Sequence, residues 1–172
     1  GNNYVDDLIG WDASGTSGTP DNDPFPKTGI PNNSTWAHGT HVAGILAATT
    51  DNGLGMASPM FKGKILSVKC SRDGADDDEP PIYDGYDGIT YAAKAACPNP
   101  QLECQIRTII NCSWGGSGYN SSENAVINNA FNTYGAIVVA AAGNGNEDTG
   151  EESAAHYPAS FDNVITVCAL DC

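Results

Sequence analysis

Apolar residues arrive in separate bursts along the chain, and the spacing inside each burst predicts an element. Val42, Ile45 and Leu46, with small residues between them, predict a tightly packed, buried helix over residues 38–48, ended by Gly53 and Gly55. Ile65, Leu66 and Val68 mark a short strand over 64–70. Ile89, Ala92, Ala93 and Ala96 fall on one side of a helix over 85–96, and residues 108–113 read as a buried strand. Asn120 followed by Glu123 resembles a capping box, and Val126, Ile127, Ala130, Phe131 and Tyr134 recur behind it at helical spacing. Gly135 is placed to stop that helix. The unbroken apolar run over 136–142 predicts a parallel strand covered on both faces, and 163–169 predicts one more strand. Ahead of all this, the first 37 residues are mostly turn chemistry. Apolar character there is confined to Tyr4–Trp11, and residues 14–33 read as an ordered surface loop.

Strands alternating with helices predict an α/β layer fold with a mainly parallel sheet and right-handed crossovers. In such folds the chemistry sits where strands end and helices begin. Composition narrows the class further. Seven Lys+Arg against 21 Asp+Glu give a net charge of −14, which repels phosphate backbones and anionic lipid, so the expected partners include no nucleic acid and no membrane. At 40% hydrophobic the chain can build a core, and its apolar runs fall short of the ~20 residues that span a bilayer. Six cysteines point to an oxidising compartment. The closest pairs in sequence are Cys97 with Cys104 and Cys168 with Cys172, and the connectivity stays open. The cysteine spacing does not favour a metal site.

Three strand-end or helix-start segments carry candidate chemistry. His38 is expected to open its helix in His38-Gly39-Thr40-His41-Val42-Ala43-Gly44, where the helix dipole favours the neutral imidazole that a general base needs. His41 is read as structural. Asn144 follows the strand Val138-Val139-Ala140-Ala141-Ala142, where its amide can aim a donor at a developing oxyanion. Ser113-Trp114-Gly115 ends the strand before it and offers backbone groups to an extended peptide. Each signal alone is outweighed by an ordinary cap or turn.

Taken together and in this order, the three segments resemble the subtilisin-like serine proteases, the subtilases. His38 through Gly44 looks like the family's catalytic-histidine motif, Val138 through Asn144 like its oxyanion strand, and Ser113-Trp114-Gly115 like the wall of its primary specificity pocket. Gly1-Asn2-Asn3-Tyr4-Val5-Asp6-Asp7 with Gly10-Trp11-Asp12 is similar to a loop of some secreted bacterial subtilases, and Tyr157-Pro158-Ala159 through Val167 also fits. The resemblance implies a three-layer subtilisin-like fold, here incomplete, with residues 1–172 as the central part of one catalytic domain. It implies a secreted serine endopeptidase acting on protein or peptide substrates. In that scheme His38 is the base, Asn144 the oxyanion donor, and Ser113, Trp114 and Gly115 bind substrate.

Two members of the family's Asp/His/Ser triad have no clear match. Asp12 fits the Gly-Trp-Asp loop better than the triad Asp. Gly15-Thr16-Ser17 and Met56-Ala57-Ser58-Pro59 echo the nucleophile motif without the helix that must follow it. The expectation is therefore a fragment, or one chain of a nicked protease whose other segments carry Asp and Ser. The alternative is a non-catalytic, peptide-binding relative. No cofactor is expected for catalysis. Asp6 and Asp7 could hold structural calcium as readily as a solvated surface, since the resemblance implies a loop type that often binds it, whereas for the acidic loop 76–79 the solvated surface is the favoured reading over calcium. Asn32, Asn33, Asn111 and Asn120 lie in Asn-x-Ser/Thr patterns, with Asn111 read as structural. His156 is read as a surface residue.

Overall fold

A computed structural model of the chain describes residues 4, 7–29, 34–75, 81–99, 108–145 and 154–169. Two compact units make up the chain, Val5–Gly85 in one and Gly1–Tyr4 with Tyr86–Cys172 in the other.

The first unit holds strand β1 (Gly10–Asp12), helix α1 (Ser34–Ala47) and strand β2 (Ser67–Lys69). β1 and β2 pair in parallel, with Asp12 opposite Lys69. β1 was not expected, because three residues inside a turn-rich stretch carry too little periodicity to announce a strand. Its last residue is the centre of the unit. Asp12 is fully buried. One carboxylate oxygen accepts the Ser14 backbone N–H at 2.9 Å, and the other meets the Lys69 ammonium at 2.7 Å. Lys69 also reaches Asp73 at 2.6 Å. The Asp12 backbone exchanges two further hydrogen bonds with Asp21, at 2.9 and 3.0 Å, tying the start of the long loop to the strand.

α1 corrects two expectations. It starts four residues before His38, so His38 lies inside the helix and not at its mouth. It is also mostly exposed. Trp36 alone is buried among its described side chains, while Ile45 and Leu46 are 48% and 40% exposed. A Cβ at Gly39 or Gly44 would meet no atom within 4 Å, so the small residues read as close-packing positions have nothing against them among the described residues. Apolar Leu and Ile signal that something covers them, but sequence does not say which segment does.

The second unit carries α2 (Gly85–Ala96, its first residue excepted), β3 (Ile109–Cys112), α3 (Ser121–Tyr134), β4 (Ile137–Ala141) and β5 (Val164–Val167). The strands form a parallel sheet in the order β3-β4-β5, with Cys112 opposite Ala140 and Ala141 opposite Val167. Parallel neighbours need a crossover of a dozen or more residues, and α3 supplies it between β3 and β4. α3 starts where Asn120 caps it, its side chain accepting the Ser122 N–H at 2.9 Å, and ends at Gly135 in the left-handed conformation (φ 64°). The expected capping box is only half formed: Glu123 accepts from the Asn120 amide at 3.5 Å.

The core of this unit joins Ile110 and Cys112 of β3, Val138 and Ala140 of β4, Ile127 and Ala130 of α3, and Ile89, Tyr91, Ala92 and Ala93 of α2, all buried. The predicted two-sided cover of β4 is partial. Alternate residues Ile137, Val139 and Ala141 are half-buried, and Ile109, Ile165 and Val167 on the flanking strands are exposed. One face of the sheet is packed. The other shows apolar side chains without a layer over them among the described residues.

Candidate active site

β3 and β4 are neighbouring parallel strands, so the segments that follow their C-terminal ends emerge at the same edge of the sheet. Ser113-Trp114-Gly115 leaves β3 and Asn144 follows β4. The structure thus brings together two of the three segments that sequence singled out. Asn144 lies between Gly143 (φ 99°) and Gly145 (φ 69°), backbone that side-chain-bearing residues seldom adopt, and it is exposed. Ser113 and Trp114 are half-buried, and the Ser113 hydroxyl accepts from the Asn111 amide at 2.9 Å. Asn111 itself is exposed, although strand-end burial was expected for it.

Behind Ser113-Trp114-Gly115 stands a cluster of rings that sequence did not reveal. Trp114 meets the Tyr86 ring edge-on at 5.6 Å, and Tyr119, Tyr157 and Phe161 pack together at 4.5–5.8 Å between centroids. Tyr86 joins the two groups through Phe161 at 6.3 Å. Burial, with the Glu123 carboxylate that Tyr86 hydrogen-bonds, pushes the Tyr86 phenol well above its ordinary value and keeps it a neutral donor. These residues come from α2, the 113–119 loop, α3 and the 157–161 turn, separations at which no local pattern signals contact. The adjoining Cys112 thiol is buried and pushed up to about 12 by desolvation, which leaves it inert as a nucleophile.

Gly116 and Tyr157 exchange two backbone hydrogen bonds, at 2.9 and 2.8 Å. This fixes the 156–161 turn against the segment after β3. Gly115 has no room for a side chain: a Cβ there would lie 2.5 Å from the His156 ring and 2.7 Å from the Tyr157 carbonyl oxygen. His156, expected at the surface, is half-buried and in contact with a predicted substrate-binding residue.

His38 belongs to the first unit, exposed on α1, as is His41. Asp12 in that unit is committed to Lys69 and Ser14, the role of a structural carboxylate. The two echoes of a nucleophile motif are also structural. Ser17 lies in an exposed turn, and the Ser58 hydroxyl donates to the Ala48 carbonyl at 2.9 Å just past α1. Neither precedes a helix.

Among the described residues no three His, Cys, Asp or Glu side chains gather as a metal site, and no helix is long and apolar enough to cross a membrane. Asp7 is half-buried, whereas Asp6 and the 76–79 loop lie outside the described residues, as do Asn32, Asn33, Cys104 and Cys172.

The described residues form parallel sheets with helices, as the α/β expectation has it, and Asn144 and Ser113-Trp114-Gly115 follow neighbouring strands of one of them. Comparison with known proteins agrees. Residues 11–172 match the Subtilase family (Peptidase_S8), and the chain belongs to that family. It is similar to Thermitase of Thermoactinomyces vulgaris, 35% identical over 162 residues covering 94% of this chain and 47% of that protein. It is 36% identical over 140 residues to the Extracellular basic protease of Dichelobacter nodosus, covering 79% of this chain and 21% of the relative. A solved structure titled S41 Psychrophilic Protease aligns with TM-score 0.48 and 26% identity, over 70% of this chain and 35% of that one. The chain spans about half the length of thermitase and less of the other relative.

Proposed function

We propose that the 172 residues are the central part of the catalytic domain of a secreted subtilisin-like serine endopeptidase. The observation that carries this reading is the pairing of β3 with β4, which puts Asn144 and Ser113-Trp114-Gly115 at one sheet edge, in a chain of subtilase sequence. In the proposed reaction a serine outside these residues attacks the substrate carbonyl. His38 takes the serine proton and later gives it to the leaving amine, and an Asp outside these residues orients His38. Asn144 donates to the tetrahedral oxyanion, and Ser113-Trp114-Gly115 receives the substrate backbone.

The exposed apolar residues support the fragment reading. Ile45 and Leu46 on α1, and Ile109, Ile165 and Val167 on the sheet, are what two layers show before further segments of the protease cover them. Alone, the chain is proposed to be inactive, because binding and oxyanion stabilisation without a nucleophile leave little turnover. Extracellular location is supported by a relative so named and by the six cysteines. Cys97 is disulfide-bonded, which supports the oxidising compartment.

The test of the site is Asn144→Ala in the active protease. It lowers kcat by about 10²–10³ with little change in KM, a magnitude that belongs to the family's oxyanion donor and not to this chain. A rise in KM at unchanged kcat would assign Asn144 to substrate binding instead. Structural calcium, held by Asp6 and Asp7 with backbone oxygens, is proposed for stability and not for chemistry. Chelator then lowers the melting temperature, and an unchanged melting curve contradicts it.

A further inference from the structure

We propose that Asn144 is a self-modification site: the peptide nitrogen of Gly145 attacks the Asn144 carboxamide, and the loss of that amide switches the protease off as it ages. The effect on turnover rests on the proposed oxyanion role of Asn144, whereas the modification itself does not. Asn-Gly occurs twice in the chain, at 52–53 and 144–145. Glycine hinders such an attack least, because it carries no side chain beside its nitrogen. The surroundings of Asn144 let the ring close. The Ala142 N–H donates to the Val167 carbonyl at 2.9 Å, and the chain then leaves the sheet. Asn144 is exposed between two glycines of positive φ, and no hydrogen bond holds its carboxamide among the described residues. Asn52 is the internal contrast. It is exposed as well, but its side-chain oxygen accepts the Leu54 N–H at 3.0 Å, which fixes the carboxamide in place.

The step needs no reagent but water. The Gly145 nitrogen loses its proton and bonds to the side-chain carbonyl carbon of Asn144. The bond from that carbon to the amide nitrogen breaks, ammonia leaves with the proton, and a cyclic succinimide remains. Water then opens the ring to aspartate, or to isoaspartate, in which the main chain runs through the former side-chain carbon. Either product has a carboxylate where the amide donor stood. A carboxylate only accepts hydrogen bonds, and it carries the same charge as the oxyanion it would face. Because the attacking nitrogen must first give up its proton, conversion quickens as pH rises.

The experiment stores the complete active protease, dilute, in mildly alkaline and in mildly acid buffer. Peptide mapping by mass spectrometry reads the amide-to-acid exchange at Asn144 and Asn52, and activity is counted per uncut chain so that self-digestion does not enter. The expected result is conversion of Asn144 several-fold faster than of Asn52, faster in the alkaline buffer, with activity falling in step with the converted fraction. Gly145→Asn keeps a residue that tolerates positive φ but sets a side chain beside the attacking nitrogen, and it slows conversion and inactivation together. Asn144 still intact after Asn52 has converted overturns the proposal and leaves the oxyanion role standing. Asn144 converted at unchanged activity per uncut chain overturns the switch and places the failure in the oxyanion role, since the modification is read by mass and not by turnover.

Discussion

At the scale of single residues, buried charge separates a structural site from a catalytic one. The carboxylate of Asp12 and the ammonium of Lys69 are 1% and 7% exposed and 2.7 Å apart. Burial alone would lower the Lys69 pKa, but hydrogen bonds and charge from Asp12 and Asp73 outweigh it and hold the ammonium above the ordinary 10.5. A pKa raised on folding means that this stabilisation is complete below the unfolded value and is lost as pH climbs through the folded one. Stability is therefore expected to fall on the alkaline side, above about pH 10.5. Lys69→Met strands the Asp12 carboxylate in the interior and costs about 3–5 kcal/mol, measured by urea unfolding of the protease at neutral pH. A loss of under about 1 kcal/mol, the value of an exposed pair, contradicts the buried network.

At the scale of elements, α3 is the crossover that keeps β3 and β4 parallel neighbours, so its ends matter to the site edge. Asn120→Ala removes the acceptor for the Ser122 N–H and is expected to cost about 1 kcal/mol, read as a shift in the denaturation midpoint with the slope unchanged. The same helix shows what sequence could reveal. Asn120, the 3.6-residue apolar rhythm and Gly135 are local signals, and each specifies its end of the helix without help from tertiary structure. The sheet strands were legible for a similar reason, as apolar runs between turns. β1 was not, because Asp12 is held by Lys69 and Asp21, partners that a window of neighbours does not contain. The aromatic cluster and the His156–Gly115 contact were invisible for the same cause. Gly115 and His156 are 41 positions apart in the chain and meet only because Gly116 pairs with Tyr157.

At the scale of the whole molecule, the motifs point to the family, and the segments that carry them fall in two units that each expose apolar side chains among the described residues. Burial was overestimated for α1 and for the second face of the sheet, since an apolar side chain signals that something covers it but not which segment does. A subtilase chain with the proposed oxyanion asparagine and histidine base, but neither the expected Asp nor the expected Ser setting, is proposed as one contributor to a larger active site.

That central claim stands or falls on the chemistry of His38. The direct measurement is turnover of a peptide substrate by the complete protease before and after His38→Ala. The account predicts that kcat falls by at least about 10⁴, leaving only the residual catalysis of binding and oxyanion stabilisation, with the fold unchanged by circular dichroism. Normal turnover by a folded His38→Ala enzyme would contradict it.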